Sequence, residues 1–239
     1  MTTPVTTVAI CMPYYRQCEG ATVLSLMDMS ARSADAKIAM LPIGTSGCYI
    51  EDNRNGSIKH ALNSGIPFEW VLWVDSDMTF PGDALIRLLN HNKDIVGANY
   101  RTRTPPYPCA GHYVDGTPAS VLTEGGLHQM KFLPTGLLLT RFDIYKKLPE
   151  PWFEASLHGP RDDVYFCHRA RANGYELWCD NDLSRQVTHT GIQQIPWFTP
   201  DQIKIVEGTP QIDMARAEAE GKRRAEESGK FYQAAQAAE

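Results

Sequence analysis

Two hydrophobic rhythms alternate along the first hundred positions of the chain. Residues 5–12 (VTTVAICM) are apolar and β-branched up to Pro13, which predicts a buried first strand. Between Gly20 and Ala31, the positions Val23, Leu24, Met27 and Ala31 recur at helical spacing and predict a helix with that stripe inward. Residues 37–43 (KIAMLPI) read as a second strand. Residues 52–65 read as a helix with Ile58, Ala61 and Leu62 on its buried face and Gly65 as its stop. Residues 69–74 (EWVLWV) make a strongly apolar third strand that runs into Asp75-Ser76-Asp77. Pro81 and Gly82 open a helix carrying Leu85, Leu88 and Leu89 inward, and residues 94–100 (DIVGANY) form a fourth strand. Strands that alternate with short helices build a mostly parallel sheet covered on both faces, the α/β class.

The rhythm changes after Tyr100. Residues 101–131 are rich in proline and glycine around short β-like fragments, as expected of a small excursion outside the main sheet. The apolar run 132–140 (FLPTGLLLT) returns as a strand broken by Pro134 and Gly136. A helix is expected over 161–173, closed by Gly174, then a strand over 176–179. From Ile212 onward Ala, Glu, Lys and Arg dominate, which predicts a surface helix or tail.

Composition narrows the class. The 239 residues are 43% hydrophobic and 10% aromatic with a net charge of -5, which fits an ordered globular body. No stretch approaches the ~18 apolar residues of a membrane helix. Residues 1–7 are uncharged and lack the form of a secretion signal, so a cytoplasmic location is expected. Six cysteines without a C-x-x-C pair favour free thiols over disulfides or structural zinc. The acidic balance leaves no global footprint for nucleic acid.

Asp75-Ser76-Asp77 carries the most chemical information. It lies at the carboxyl end of a buried strand, where open α/β sheets bind ligands. Two carboxylates one residue apart can converge on Mg²⁺ or Mn²⁺ and leave coordination positions for phosphate oxygens. The plain alternative is a polar turn, since Asp and Ser commonly join a strand to a helix.

The segment WVLWVDSDMTFP resembles the Asp-x-Asp region of GT-A glycosyltransferases and is most similar to bacterial and phage proteins near glycosyltransferase family 2. Four further stretches agree in order: Met12-Pro13-Tyr14-Tyr15, Asp52-Asn53-Arg54-Asn55, the Asp162-Asp163 pair, and His189-Thr190-Gly191. The resemblance spans about residues 5–192. It implies a GT-A (Rossmann-like) α/β fold with a small β excursion and a C-terminal helix. It divides the chain into a domain over 1–210, with a nucleotide-sugar half to about residue 100, and a tail over 211–239. It further implies transfer of a sugar from a nucleotide diphosphate, UDP by family default, to an acceptor hydroxyl. Pro13, Tyr14, Arg54, Asp75 and Ser76 would bind the donor, and Asp75, Asp77 and His189 would hold Mn²⁺ or Mg²⁺. Asp163 would be the general base of an inverting reaction, with Asp162 in place of the family's more usual Glu.

Other residues carry weaker signals. Arg101 and Arg103 follow the fourth strand, where they could clamp phosphate oxygens or be solvated loop charges. Gly136 breaks an apolar strand and allows the close approach that a sugar ring needs. Trp152 and Phe153 could stack on an acceptor or belong to the core. Trp197 and Phe198, bracketed by Pro196 and Pro200, could close over the site. The acceptor stays open among saccharide, protein, metabolite and hydroxylated DNA base, and the tail could join two copies of the chain. Three rival functions remain: a nucleotidyltransferase, a metal-dependent phosphohydrolase, and a nucleotide-sugar binder without turnover. The first two are disfavoured because no G-x-x-x-x-G-K-[ST] loop is present.

Overall fold

The computed structural model describes residues 5–103, 109–117, 119, 124–155 and 161–190, and the backbone of 203–206 and 209–212. The chain divides into two units, one of Met1–Thr102 with Cys109–Thr190 and the other of Arg103–Pro108 with Gly191–Glu239. In the second unit β11 (Ile203–Val206) and β12 (Thr209–Ile212) form an antiparallel hairpin. The expected helix beyond Ile212 and the Trp197–Phe198 loop lie outside the described residues.

The first unit is built on an eight-stranded sheet. Its strands are β1 (Thr6–Tyr14), β2 (Ile38–Ser46), β3 (Trp70–Val74), β5 (Ile95–Gly97), β6 (His112–Tyr113), β7 (Leu127–Phe132), β8 (Leu137–Arg141) and β9 (Leu177–Asp180). They lie in the order β2-β1-β3-β8-β5-β9-β7-β6. Parallel pairing joins β2, β1 and β3, and again β5 and β9, while β8 and β7 run against their neighbours. The sheet is therefore mixed α/β with most strands in one direction. The expected excursion after Tyr100 is instead part of this sheet, because β7 pairs with β9 and β6 with β7.

Both faces are covered, and β3 shows how. All five of its residues are buried. Val71 and Trp73 point into one core with Ile58 and Ala61 of α2 (Ile50–Asn63), Ile144 and Tyr145 of α4 (Asp143–Lys147), and Phe166 and Cys167 of α5 (Asp162–Ala172). Trp70, Leu72 and Val74 point into the other, with Met29 of α1 (Gly20–Asp35) and Leu85 and Leu88 of α3 (Ala84–Asn90). This is the strict two-residue alternation of a strand. It also explains why residues 69–74 read as a continuous apolar run.

Two sequence expectations change. β1 continues through Pro13 to Tyr14, because beyond Cys11 it has β2 as its one strand neighbour and proline is tolerated at such an edge. Helix α1 turns its expected inner stripe outward: Val23, Leu24 and Met27 are 42%, 69% and 64% exposed, and Thr22, Met29 and Ser33 are buried. Its rotation follows hydrogen bonds. The Thr22 hydroxyl donates to the Ser76 carbonyl at 3.2 Å, and the Phe80 N–H donates to the Ser25 hydroxyl at 3.2 Å. Among the described residues no helix is long and apolar enough to cross a membrane.

The first core contains a fully buried polar chain. Trp73 Nε1–H donates to Tyr145 Oη at 2.7 Å, and that phenol pairs with the Thr140 hydroxyl at 2.9 Å. Burial pushes the Tyr145 phenol well above its ordinary pKa, so it stays neutral. Tyr145→Phe would orphan a buried indole N–H. It is expected to cost about 1–3 kcal/mol, read as a lower urea midpoint at unchanged slope.

Candidate active site

The Asp75-Ser76-Asp77 turn is tied down through its backbone from three directions. Asp75 N–H donates to the Gly136 carbonyl at 3.1 Å. The Ser76 carbonyl accepts the Glu19 N–H at 2.8 Å, at the start of α1, besides the Thr22 hydroxyl. The Asp77 carbonyl accepts both the N–H and the hydroxyl of Thr190, at 2.7 and 2.6 Å. A short ladder between β4 (Met78–Thr79) and β10 (Thr188–His189) sets His189 opposite Met78. The Thr79 and Thr188 hydroxyls bond across it. Residues distant in sequence thus meet through a two-residue strand pair.

That ladder brings His189 Nε2 to 3.2 Å from Asp77 Oδ2. The other ring nitrogen, Nδ1, lies 3.2 Å from the Arg101 carbonyl. A carbonyl can only accept, so Nδ1 carries a hydrogen and Nε2 is the nitrogen that faces the carboxylate. With a hydrogen on Nε2 the ring donates to Asp77; with a lone pair there, the two acceptors need a cation between them. Arg101, expected to clamp phosphate with its side chain, contributes its carbonyl to orient the histidine. Arg103 belongs to the second unit.

Arg54 joins the two acidic motifs. It stands in the second turn of α2 and is 3% exposed. Nη2 donates to Asp75 Oδ1 and Nε donates to Asp162 Oδ2, each at 2.8 Å. Its carbon sits 5.6 and 5.8 Å from the ring centres of Trp73 and Phe153. Among the described residues Nη1 is buried without a polar partner, in this aromatic surround. Burial works against the guanidinium's charge, but Asp75 and then Asp162 outweigh it and raise its pKa. The expected reach to a nucleotide is replaced by this double ion pair, and so is the surface pair with Glu51.

The neighbours of Arg54 also serve the site. Asn53 Nδ2 donates to the Gly47 carbonyl at 3.1 Å. Asn55 Oδ1 accepts the N–H groups of Trp152 and Phe153, both at 3.1 Å, and its Nδ2 donates to the Phe153 carbonyl at 2.7 Å. Trp152 is therefore core: it is 3% exposed, and its indole N–H donates to the Tyr145 and Leu148 carbonyls. An indole spent inside the protein is not available to stack on an acceptor.

Asp163 follows Asp162 in the first turn of α5. Burial, and next the charge of Asp162, raise its pKa above the ordinary carboxylate value, against the Val164 N–H that bonds its Oδ1 at 2.7 Å. A carboxyl with raised proton affinity beside ion-paired carboxylates has the character of a general base.

Tyr100, just beyond β5, was not singled out by the sequence. It is 8% exposed, its Oη accepts the Gly136 N–H at 2.9 Å, and its ring meets the His189 ring edge-on at 5.3 Å. A Cβ at Gly136 would stand 2.7 Å from Tyr100 Cζ. The close approach that Gly136 permits is thus made by this phenol, where a sugar ring was expected. Pro13 is buried, and Tyr14 is half-buried with its ring beside Gly44. Ser76 is half-buried, anchored through its carbonyl.

Donor chemistry decides whether a divalent cation fits. Among the described residues no group of three or more His, Cys, Asp and Glu side chains is gathered to hold a metal. Asp75, placed in that set by sequence, gives Oδ1 to Arg54. Asp77 and His189 nonetheless offer an oxygen and a nitrogen 3.2 Å apart. Ligands at ~2.1 Å on adjacent octahedral corners lie about 3 Å apart, and Mg²⁺-type sites need few protein ligands when phosphates supply the rest. The pair fits such a cation.

Solved structures with this architecture include A197 from STIV, at a TM-score of 0.54 and 13% identity over 87% of this chain and 94% of that one. They also include GalNAc-T7 with UDP, GalNAc and Mn²⁺, at a TM-score of 0.51 and 10% identity. The latter match covers 79% of this chain and 44% of the GalNAc-T7 chain. The fold is GT-A-like. No protein-family model matches the chain, and no curated protein matches it by sequence.

Two outcomes test this geometry. Arg54→Met would leave two carboxylates without their shared cation and is expected to cost about 3–5 kcal/mol in urea unfolding. Adding Asp75→Asn and Asp162→Asn should restore part of that loss, since an amide leaves no charge stranded. The second test concerns Asp163. Its raised folded pKa means that its contribution is intact below the ordinary carboxylate range and is lost as pH climbs through the raised value. Asp163→Asn escapes that loss. Its melting temperature relative to wild type is therefore expected to rise as pH climbs from about 4, the ordinary carboxylate value, through the raised one.

Proposed function

We propose that the chain is a metal-dependent glycosyltransferase that moves a sugar from a nucleotide diphosphate to an acceptor hydroxyl with inversion. The observation that carries this reading is the Arg54 bridge. One guanidinium spans the Asp-x-Asp turn and the Asp162-Asp163 pair, so the two motifs form one site at the carboxyl end of β3. The likeness to a UDP- and Mn²⁺-bound GalNAc-T7 structure supports the same reading at the level of fold.

In this reading Asp77 and His189 hold Mn²⁺ or Mg²⁺, with the Arg101 carbonyl fixing the imidazole tautomer. When bound, such a cation neutralises the negative charge that develops on a departing diphosphate. Asp163 accepts the proton of the acceptor hydroxyl as its oxygen bonds to the anomeric carbon and the bond from that carbon to the diphosphate breaks. Burial and the charge of Asp162 raise its proton affinity, which improves the match to a hydroxyl proton. Arg54 holds Asp162 in place beside it. Pro13, Tyr14 and Ser76 contribute to the wall on which the nucleotide lies. UDP is the favoured donor nucleotide.

Thermal unfolding tests the proposal. Wild type and Asp77→Ala are melted with UDP, GDP, CDP, ADP or dTDP, each with and without Mn²⁺. A nucleotide at a hundredfold excess over its dissociation constant adds about 2.7 kcal/mol, or roughly 5–10 °C for a chain of this size. One nucleotide should raise the melting temperature, and the rise should need both Mn²⁺ and Asp77. A rise that survives without either removes the cation from the reading, and no rise with any nucleotide removes the donor.

A further inference from the structure

Tyr100 carries a hydrogen-bond donor that no described residue takes up. Its oxygen is occupied as an acceptor by the Gly136 N–H at 2.9 Å. Among the described residues nothing accepts its own O–H, although the side chain is 8% exposed. Buried phenols ordinarily place both functions. The hydroxyl is also fixed in position. Gly136, which holds it, passes its carbonyl to Asp75 N–H at 3.1 Å, so the phenol stands one peptide from the Asp-x-Asp turn. On its other side the ring lies edge-on to His189. Asp75, Arg54 and Asp163 are its electrostatic neighbours, and burial keeps the phenol neutral and able to donate.

A fixed, neutral, unspent O–H at this point matches an oxygen that accepts, and a nucleotide sugar brings such oxygens on its diphosphate and on its sugar. We propose that the Tyr100 hydroxyl is a ligand-binding donor of this site and gives its hydrogen bond to an oxygen of the donor substrate. This rests on the nucleotide-sugar reading above. It also explains the glycine. Any side chain at 136 would displace the ring, with Cζ only 2.7 Å from an added Cβ.

Isothermal titration of wild type and Tyr100→Phe in Mn²⁺ tests this. The probes are UDP, GDP, CDP, ADP and dTDP, and the glucose conjugate of each. Phenylalanine keeps the ring against His189 and Gly136 and removes only the hydroxyl. Affinity for the probe that wild type binds is expected to fall about tenfold, the worth of one hydrogen bond. A fall seen with the bare diphosphate assigns the hydroxyl to a phosphate oxygen; a fall seen only with the glucose conjugate assigns it to the sugar. Mn²⁺ affinity without nucleotide, read by electron paramagnetic resonance, should not change, whereas general damage to the site would weaken it. Equal affinities in wild type and variant overturn this inference alone. Failure of wild type to bind every probe overturns the nucleotide-sugar reading and this inference with it. If Tyr100→Phe does not fold, 3-fluorotyrosine replaces tyrosine in the wild-type chain. Failure of every buried fluorotyrosine resonance to shift on ligand binding then overturns the inference.

Discussion

A buried guanidinium between two carboxylates organises this protein's candidate site. Arg54 is nearly inaccessible, yet its charge is fixed because Asp75 and Asp162 each take one of its donors at 2.8 Å. Buried ion pairs are weak sources of net stability, since desolvation consumes most of the attraction. They are strict about geometry, because a stranded buried charge is costly. The end of β3, the start of α2 and the start of α5 must therefore arrive together. A pair of acidic motifs far apart in the chain becomes one site through this requirement.

The start of α2 extends the same logic. Asn53, Arg54 and Asn55 each leave the helix toward a different segment: the loop after β2, the two acidic motifs, and the Trp152–Phe153 backbone. Three consecutive polar side chains spent inside the protein are unfavourable for helix formation alone. They are kept because each satisfies buried groups elsewhere. Helix α1 makes a similar compromise. It leaves Val23, Leu24 and Met27 in solvent so that Thr22 and Ser25 can hold the Asp-x-Asp turn and the strand after it.

These compromises mark where the sequence was readable. Elements whose apolar period serves the core were legible, such as β3 and the Leu85–Leu88 face of α3, because burial of area dictates both period and placement. Helix α1 was misread in orientation, since periodicity records apolar residues and cannot register two hydroxyls that outrank them. The Asp-x-Asp turn and the Asp162-Asp163 pair were visible as chemistry, and their order agreed with a known pattern. Their contact through Arg54 was not, because nothing local distinguishes an arginine that pairs on the surface from one that crosses the core. Tyr100 gave no signal either. Its role depends on Gly136, and the sequence shows a glycine without showing what fills the space beside it.

Charge distribution around Arg54 links this architecture to reactivity. Three carboxylates, Asp75, Asp162 and Asp163, lie within the influence of one guanidinium, and two of them claim its hydrogen bonds. The third cannot be matched in the same way. Asp163 is left with burial and a like-charged neighbour, relieved by the N–H of the next residue and the more distant field of Arg54. The strain of placing three acids around one cation thus falls on a single carboxyl, which answers by binding its proton more tightly. Stability is given up at that position, and under the proposed function the same carboxyl takes the proton of the acceptor hydroxyl. Adding a second cation to pair Asp163 would stabilise the fold and remove the basicity. The shortage of positive charge at the carboxyl end of β3 is therefore what the proposed general base depends on.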